Sequence, residues 1–161
     1  MLNQMNAPQK NMDQQIISER IRAFPAICRN SGLKVTHQRT AIYAMLAATD
    51  SHPSPEEVYT QIRGDLPSIS LATVYKVLDL FNRYGFLRKV STEGQVARYD
   101  ANVRPHHHQI CTSCGQIHDI EPVISPEQMA STKSNGFKVS HMDIIFHGTC
   151  HDCNTTGRAA N

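Results

Sequence analysis

The chain has 161 residues, 40% of them hydrophobic, which gives room for one ordinary domain or two small ones. A net charge of +2 and a pI near 8.3 do not by themselves mark a nucleic-acid binder, and no apolar run approaches the roughly 18–20 residues that span a bilayer. The polar opening MLNQMNAPQKNMDQQ lacks an apolar signal core, so a cytoplasmic location is expected, where five cysteines point to metal ligands or free thiols before disulfides.

Residues 1–15 read as a flexible, partly disordered arm. Ile16, Ile17, Ile21 and Phe24 then form a short apolar stripe that Pro25 is expected to break, with Pro25 opening a second short helix that ends at Gly32. Thr36 is placed to cap a helix running to about Ala48, with Ile42, Met45 and Leu46 facing inward. In SPEE, Ser54 caps, Pro55 takes the first helical position and Glu57 completes a capping box, starting a helix that stops near Gly64. Ser70 caps the next helix, whose apolar face is Leu71, Val74, Val77, Leu78 and Phe81 and whose stop is Gly85. Phe86–Val90 and Val96–Tyr99, joined by STEGQ, read as a hairpin. Helices followed by a hairpin give the order of a winged helix-turn-helix over residues 16–100. In that arrangement the start of the Ser70–Tyr84 helix enters the major groove, exposing Ser70, Thr73, Tyr75 and Lys76 opposite the apolar face, with Arg39 and Arg88 as phosphate partners. The plainer alternative for each basic residue is a solvated surface charge.

At DANVRPHHH the composition changes, and residues 101–105 read as a hinge. Beyond it, His108–Thr112 and Gln116–Ile120 are expected as strands around the CTSCG turn, Ser125 as the cap of a helix in SPEQMAST, and FKVSHMDIIFHG as a strand leading into CHDC. Residues 106–161 would form a small α+β unit, hard to stabilise without a metal or a partner chain.

Two features there carry chemistry. Cys111-x-x-Cys114 and Cys150-x-x-Cys153 are matched knuckles whose four thiolates complete a tetrahedron suited to structural Zn²⁺, with no open position for catalysis. The alternative is a pair of redox dithiols or disulfides. Cys28, left over, reads as a buried core residue. The second feature is histidine-rich. On a strand His106 and His108 share a face and His107 points away, while Asp119 sits on the neighbouring strand and Asp100 ends the wing. Imidazoles with carboxylates suit Fe²⁺, Mn²⁺ or Zn²⁺; clustered surface histidines without metal are the alternative. A zinc hydrolase or deaminase is disfavoured, because neither His-Glu-x-x-His nor His-x-Glu with Pro-Cys-x-x-Cys occurs. An enzyme is therefore not expected. A metal-storing or purely structural zinc protein would have no use for the winged helix.

The succession of winged helix, ISLATVYKVLDLF, HHHQICTSCG and terminal CHDC resembles the ferric uptake regulator (Fur) family of metal-dependent repressors, from about Gly32 to Cys153. The resemblance implies a homodimer on double-stranded operator DNA, a C-terminal dimerisation domain, and a sensory metal served by both domains. It further implies that Tyr75 reads bases, that Lys76 approaches the backbone or a base, and that Lys34 reaches the minor groove. Within the family the peroxide-responsive repressor (PerR) branch matches best. Its sensory positions correspond to His52, Asp100, His106, His108 and Asp119, all filled, with Fe²⁺ or Mn²⁺ as the metal and His52 or His106 as the oxidation-sensitive ligand. Iron-sensing relatives usually carry Glu at both carboxylate positions. Their additional metal site is not expected here, since Pro105, His107 and Met142 stand at its places, with His141 one residue off. The alternative is an iron, manganese or zinc uptake regulator of the same family without peroxide chemistry.

Overall fold

The computed structural model describes residues 7–90, 96–121 and 142–157. Two compact units divide the chain, Met1–Val103 and Arg104–Asn161. The first is helical with a small hairpin. The second is built on a three-stranded sheet.

In the first unit, α1 is one helix, Ala7–Asn30, with Pro25 inside it. This corrects two expectations: the chain is helical well before residue 16, and Pro25 does not split the segment. Pro25 costs a main-chain hydrogen bond to the preceding turn, but the residues around it anchor the helix. Phe24 and Cys28 are fully buried, and the Phe24 ring stacks on Tyr43 at 4.0 Å and meets Phe81 and Phe86 edge-on at 5.3 and 5.7 Å. Breaking the helix at Pro25 would pull one of these anchors out of the core.

The next three helices start where their caps put them. Thr36 accepts from the Arg39 N–H ahead of α2 (His37–Ala47). Ser54 and Glu57 form both halves of a capping box on α3 (Pro55–Ile62). Ser70 Oγ accepts from Thr73 N–H at the head of α4 (Leu71–Arg83). Val58, Val74, Leu78 and Phe81 close the core against Ile42 and Leu46. Gly85, at φ +71°, lets the chain turn back so that Phe86 N–H reaches the Phe81 carbonyl at 2.9 Å. Phe86 therefore belongs to the core and not to the hairpin. The strands are shorter and shifted from the expected ones, β1 at Arg88–Val90 and β2 at Arg98–Asp100, antiparallel with Arg88 opposite Asp100. The STEGQ turn lies outside the described residues.

In the second unit, β3 (His107–Cys111) lies between β4 (Ile117–Ile120), antiparallel to it, and β5 (Ile145–Gly148), parallel to it. Both β3 and β4 begin one residue from the expected place. The expected helix after Ser125 and the first part of the FKVSHMDIIFHG strand lie outside the described residues. The CHDC segment is the opening of a short helix, α5 (His151–Thr156), with Cys150 at its N-cap position.

Candidate metal centres and nucleic-acid face

The four paired cysteines meet in the second unit. Cys111 closes β3, and the chain turns on Gly115 at φ +72°, where its N–H bonds the Cys111 carbonyl at 2.9 Å. Thr112 N–H reaches the Gly148 carbonyl at 2.7 Å, which fastens the first knuckle to the end of β5, two residues before Cys150. Cys153 follows one helical turn later. The four Sγ atoms lie within 4.8 Å of one another, and none of the cysteines is in a disulfide. With Zn–S bonds of about 2.3 Å, the edge of a thiolate tetrahedron is about 3.8 Å. Cys114 Sγ and Cys150 Sγ are 3.8 Å apart. The set fits Zn²⁺. The Cys150 N–H, 3.3 Å from Cys111 Sγ, holds that thiol down to about 6, whereas burial pushes Cys153 up to about 12. Cys28 is fully buried.

His52 and Asp100 lie together in the first unit. His52 takes φ +52°, the only positive value among the described non-glycine residues. Such a backbone costs about 1 kcal/mol for an L-residue and is held by its surroundings. Those surroundings are Pro53, whose carbonyl accepts from Tyr99 N–H at 3.2 Å, and the capping box immediately after it. Glu57 of that box also accepts from Arg98 Nη1, so the loop is tied twice to β2. Asp100 ends β2 with Oδ1 bonded to Asn102 N–H at 2.7 Å. Both side chains are buried, and a His52 ring nitrogen and an Asp100 carboxylate oxygen lie within 4.8 Å.

His106, His108 and Asp119 are brought together in the second unit. His106 Nδ1 donates to the Arg104 carbonyl at 2.8 Å, which fixes the tautomer and leaves Nε2 as the ligand atom. His106 Nε2 and His108 Nε2 are 3.0 Å apart. Two imidazole nitrogens bound at about 2.1 Å with a right angle between them stand about 3.0 Å apart. Asp119 faces His108 across the β3–β4 ladder, its Oδ1 3.6 Å from His106 Nε2 and 3.7 Å from His108 Nε2. The three groups fit a shared cation of the Fe²⁺ or Mn²⁺ type. His107 is also buried, and its ring nitrogens have no hydrogen-bond partner among the described residues. Met142 is half-buried, and His141 lies outside the described residues.

On α4, Tyr75 and Lys76 are exposed opposite buried Val74, Val77 and Leu78. Ser70 and Thr73 bond one another through their hydroxyls at 2.9 Å, so both are engaged in the helix cap. Lys34 is exposed. Arg39 Nη1 donates to the Lys34 carbonyl at 2.6 Å and Arg88 Nη2 to the Val103 carbonyl at 3.1 Å. Each guanidinium therefore holds a loop, which sequence reasoning assigned to neither. Glu56 was missed altogether: Tyr75 Oη donates to its Oε1 at 2.5 Å. Nothing local signals that pairing, because the partners are 19 residues apart.

Residues 30–147 match the model of the ferric uptake regulator family. The chain is 33% identical over 126 residues to the peroxide-responsive repressor PerR of Staphylococcus saprophyticus, covering 78% of this chain and 85% of that protein. It is 34% identical over 149 residues to the ferric uptake regulation protein of Campylobacter jejuni, covering 90% and 93%. The solved structure of the Helicobacter pylori ferric uptake regulator Fur, described as having three functional metal-binding sites, superposes with a TM-score of 0.69 at 25% identity, over 86% of this chain and 93% of that one.

Proposed function

The chain belongs to the ferric uptake regulator family, and on that premise we propose that it is a metal-dependent repressor that binds operator DNA as a homodimer and releases it when hydrogen peroxide oxidises a ligand histidine. Structural Zn²⁺ belongs to Cys111, Cys114, Cys150 and Cys153. A regulatory Fe²⁺ or Mn²⁺ belongs to His52, Asp100, His106, His108 and Asp119. The supporting observation is the approach of His106, His108 and Asp119 to metal-ligand spacing in a chain whose cysteines already account for the zinc. Aspartate at both carboxylate positions favours the peroxide branch.

His52 and Asp100 belong to the helical unit, the other three ligands to the sheet unit. One ion served by both makes metal affinity and DNA affinity interdependent, because the arrangement that completes the ligand set is then the one that binds DNA. Held by these residues, Fe²⁺ would supply redox chemistry toward hydrogen peroxide that Mn²⁺ would not, so that, net, one peroxide oxygen enters the imidazole of His52 or His106 and the other leaves as water. An oxidised imidazole is a weaker base and a weaker ligand, so the ligand set loosens. In the DNA-binding unit, Tyr75 and Lys76 project from α4 toward the major groove, Ser70 and Thr73 shape its N-terminus, and Lys34 reaches the minor groove. Arg39 acts through the Lys34 loop that it holds.

Peptide mass spectrometry of Fe²⁺-loaded protein exposed briefly to hydrogen peroxide, beside a Mn²⁺-loaded control, tests this. An added oxygen on His52 or His106 with iron alone, together with DNA release, is the expected result. Unmodified histidines with DNA binding still governed by metal would instead make the protein a plain uptake regulator. That reading is favoured by the match to the C. jejuni ferric uptake regulation protein, which extends over more of the chain than the PerR match.

A further inference from the structure

Resting on the reading that α4 faces DNA, we infer that Glu56 is a specificity-determining residue: it turns the Tyr75 hydroxyl into an acceptor directed at base amino groups and keeps it from phosphate. A free tyrosine hydroxyl both donates and accepts. It can donate to any phosphate oxygen, which carries no sequence information. In this chain its proton is already committed, because Oη donates to Glu56 Oε1 at 2.5 Å. What remains outward is the oxygen lone pair. In the major groove the groups that can donate to it are the adenine N6 and cytosine N4 amino groups, whereas guanine O6 and N7 offer only lone pairs of their own.

The residue that carries the carboxylate stands on a fastened turn. Glu56 is in the first turn of α3, a turn fastened by the Ser54–Glu57 capping box and by the Glu57–Arg98 ion pair. Tyr75 stands in the second turn of α4, 39% exposed. An exposed anion beside a DNA-reading helix repels phosphate oxygens, which lowers affinity for every sequence. That cost has an evident return if the anion also aims a base-reading group. Glu56 touches DNA through Tyr75 alone and is a positioning residue.

The test uses full-length, metal-loaded protein, a duplex selected by the wild-type protein from a random-sequence pool, and a scrambled duplex of the same composition. Glu56→Ala should bind the scrambled duplex more tightly than wild type while the selected-to-scrambled ratio falls about tenfold, the upper scale of one neutral hydrogen bond. Glu56→Gln retains an acceptor for the tyrosine and should recover much of the ratio without the charge. In a Tyr75→Phe background, Glu56→Ala should leave the ratio unchanged. A ratio within twofold of wild type in Glu56→Ala, or an equal drop with and without the Tyr75 hydroxyl, overturns the inference; thermal unfolding of each variant checks that the fold is intact. If the wild-type protein selects no duplex from the pool, the DNA-binding reading fails and takes this inference with it, an outcome distinct from the two above.

Discussion

The Tyr99 main-chain N–H donates to the Pro53 carbonyl at 3.2 Å, one of two ties that hold His52 beside Asp100. Each candidate ligand is the immediate chain neighbour of a bonded residue, so the loop before α3 and the end of β2 carry them as a pair. The bond is reinforced one residue outward on β2, where Arg98 meets the Glu57 carboxylate that also caps α3. The fold of the helical unit therefore holds these two buried side chains as a pair.

Glu57 should therefore matter to metal more than to stability. Glu57→Ala removes one arm of the capping box, worth about 1 kcal/mol, and an ion pair that is half exposed and contributes little by itself. It also removes one of the two ties between the His52 loop and β2, leaving the Pro53–Tyr99 bond as the other. Loss of such an outer support weakens metal binding by roughly tenfold or more. Mn²⁺ titration and thermal unfolding on the same sample separate the two effects. Unchanged Mn²⁺ affinity with lowered stability would reduce Glu57 to a helix cap.

Pro25→Ala is expected to stabilise the helical unit. The proline sits inside α1, which packs on the core through Phe24 and Cys28. Its ring and missing N–H cost about 3 kcal/mol in a helix interior, partly offset by the stiffness it gives the unfolded chain. A gain of about 2 kcal/mol in denaturant unfolding is expected. A loss would show that a bend at Pro25 is needed to seat Phe24 on Tyr43.

The same proline shows what was legible in the sequence. Helix starts were, because capping is local: Thr36, Ser54 and Ser70 each bond a backbone N–H three residues on. The cysteine knuckles were legible too, since Cys-x-x-Cys spacing is itself the geometry. Pro25 misled because its cost is local and its compensation is not, being three aromatic rings supplied by α2, α4 and the segment after it. Phe86 was misread as strand for a similar reason: Gly85 turns it into the core. The bond from Arg39 to the Lys34 carbonyl was not legible, because a guanidinium's acceptor leaves no mark in the chain pattern.

Tyr99 gives the helical unit an alkaline limit. Burial, and the Asp79 carboxylate whose Oδ1 lies 3.4 Å away, push its hydroxyl up to about 12. An unfolded tyrosine ionises near 10. The folded value is the higher one, so this contribution is intact below pH 10 and is lost as pH rises toward 12. The slope in that window is about 1.4 kcal/mol per pH unit for one group. Tyr99→Phe should flatten the fall in stability between those values, as measured by urea unfolding at stepped pH. An unchanged slope would place the loss elsewhere.

The cysteine set should behave as a folding element. Cys114→Ser, or a strong chelator, removes the ion that joins the β3 knuckle to α5. Binding free energy at such a site is folding free energy, and a loss of several kcal/mol corresponds to a drop of about 10–20 °C in Tm for a unit this small. Zinc content by elemental analysis should fall from one ion per chain in step with Tm. A variant that keeps both Tm and zinc would show that three thiolates suffice.

Asp119→Glu tests the branch within the family. Asp119 lies on β4 opposite His108, with its carboxylate within 3.7 Å of both imidazole nitrogens. One more methylene keeps the charge and the ligand type, so metal-dependent DNA binding should persist within about threefold, well under the 1.4 kcal/mol that a tenfold change represents. The longer arm alters which positions around the ion stay open to a small oxidant. Peroxide-driven release of DNA should therefore become at least about tenfold slower, a change of roughly 1.4 kcal/mol in barrier. The check is the time course of DNA dissociation from Fe²⁺-loaded wild type and variant at one peroxide concentration. Equal rates would count against peroxide sensing through this site, and a variant that no longer binds DNA with Mn²⁺ would show instead that Asp119 sets metal affinity itself.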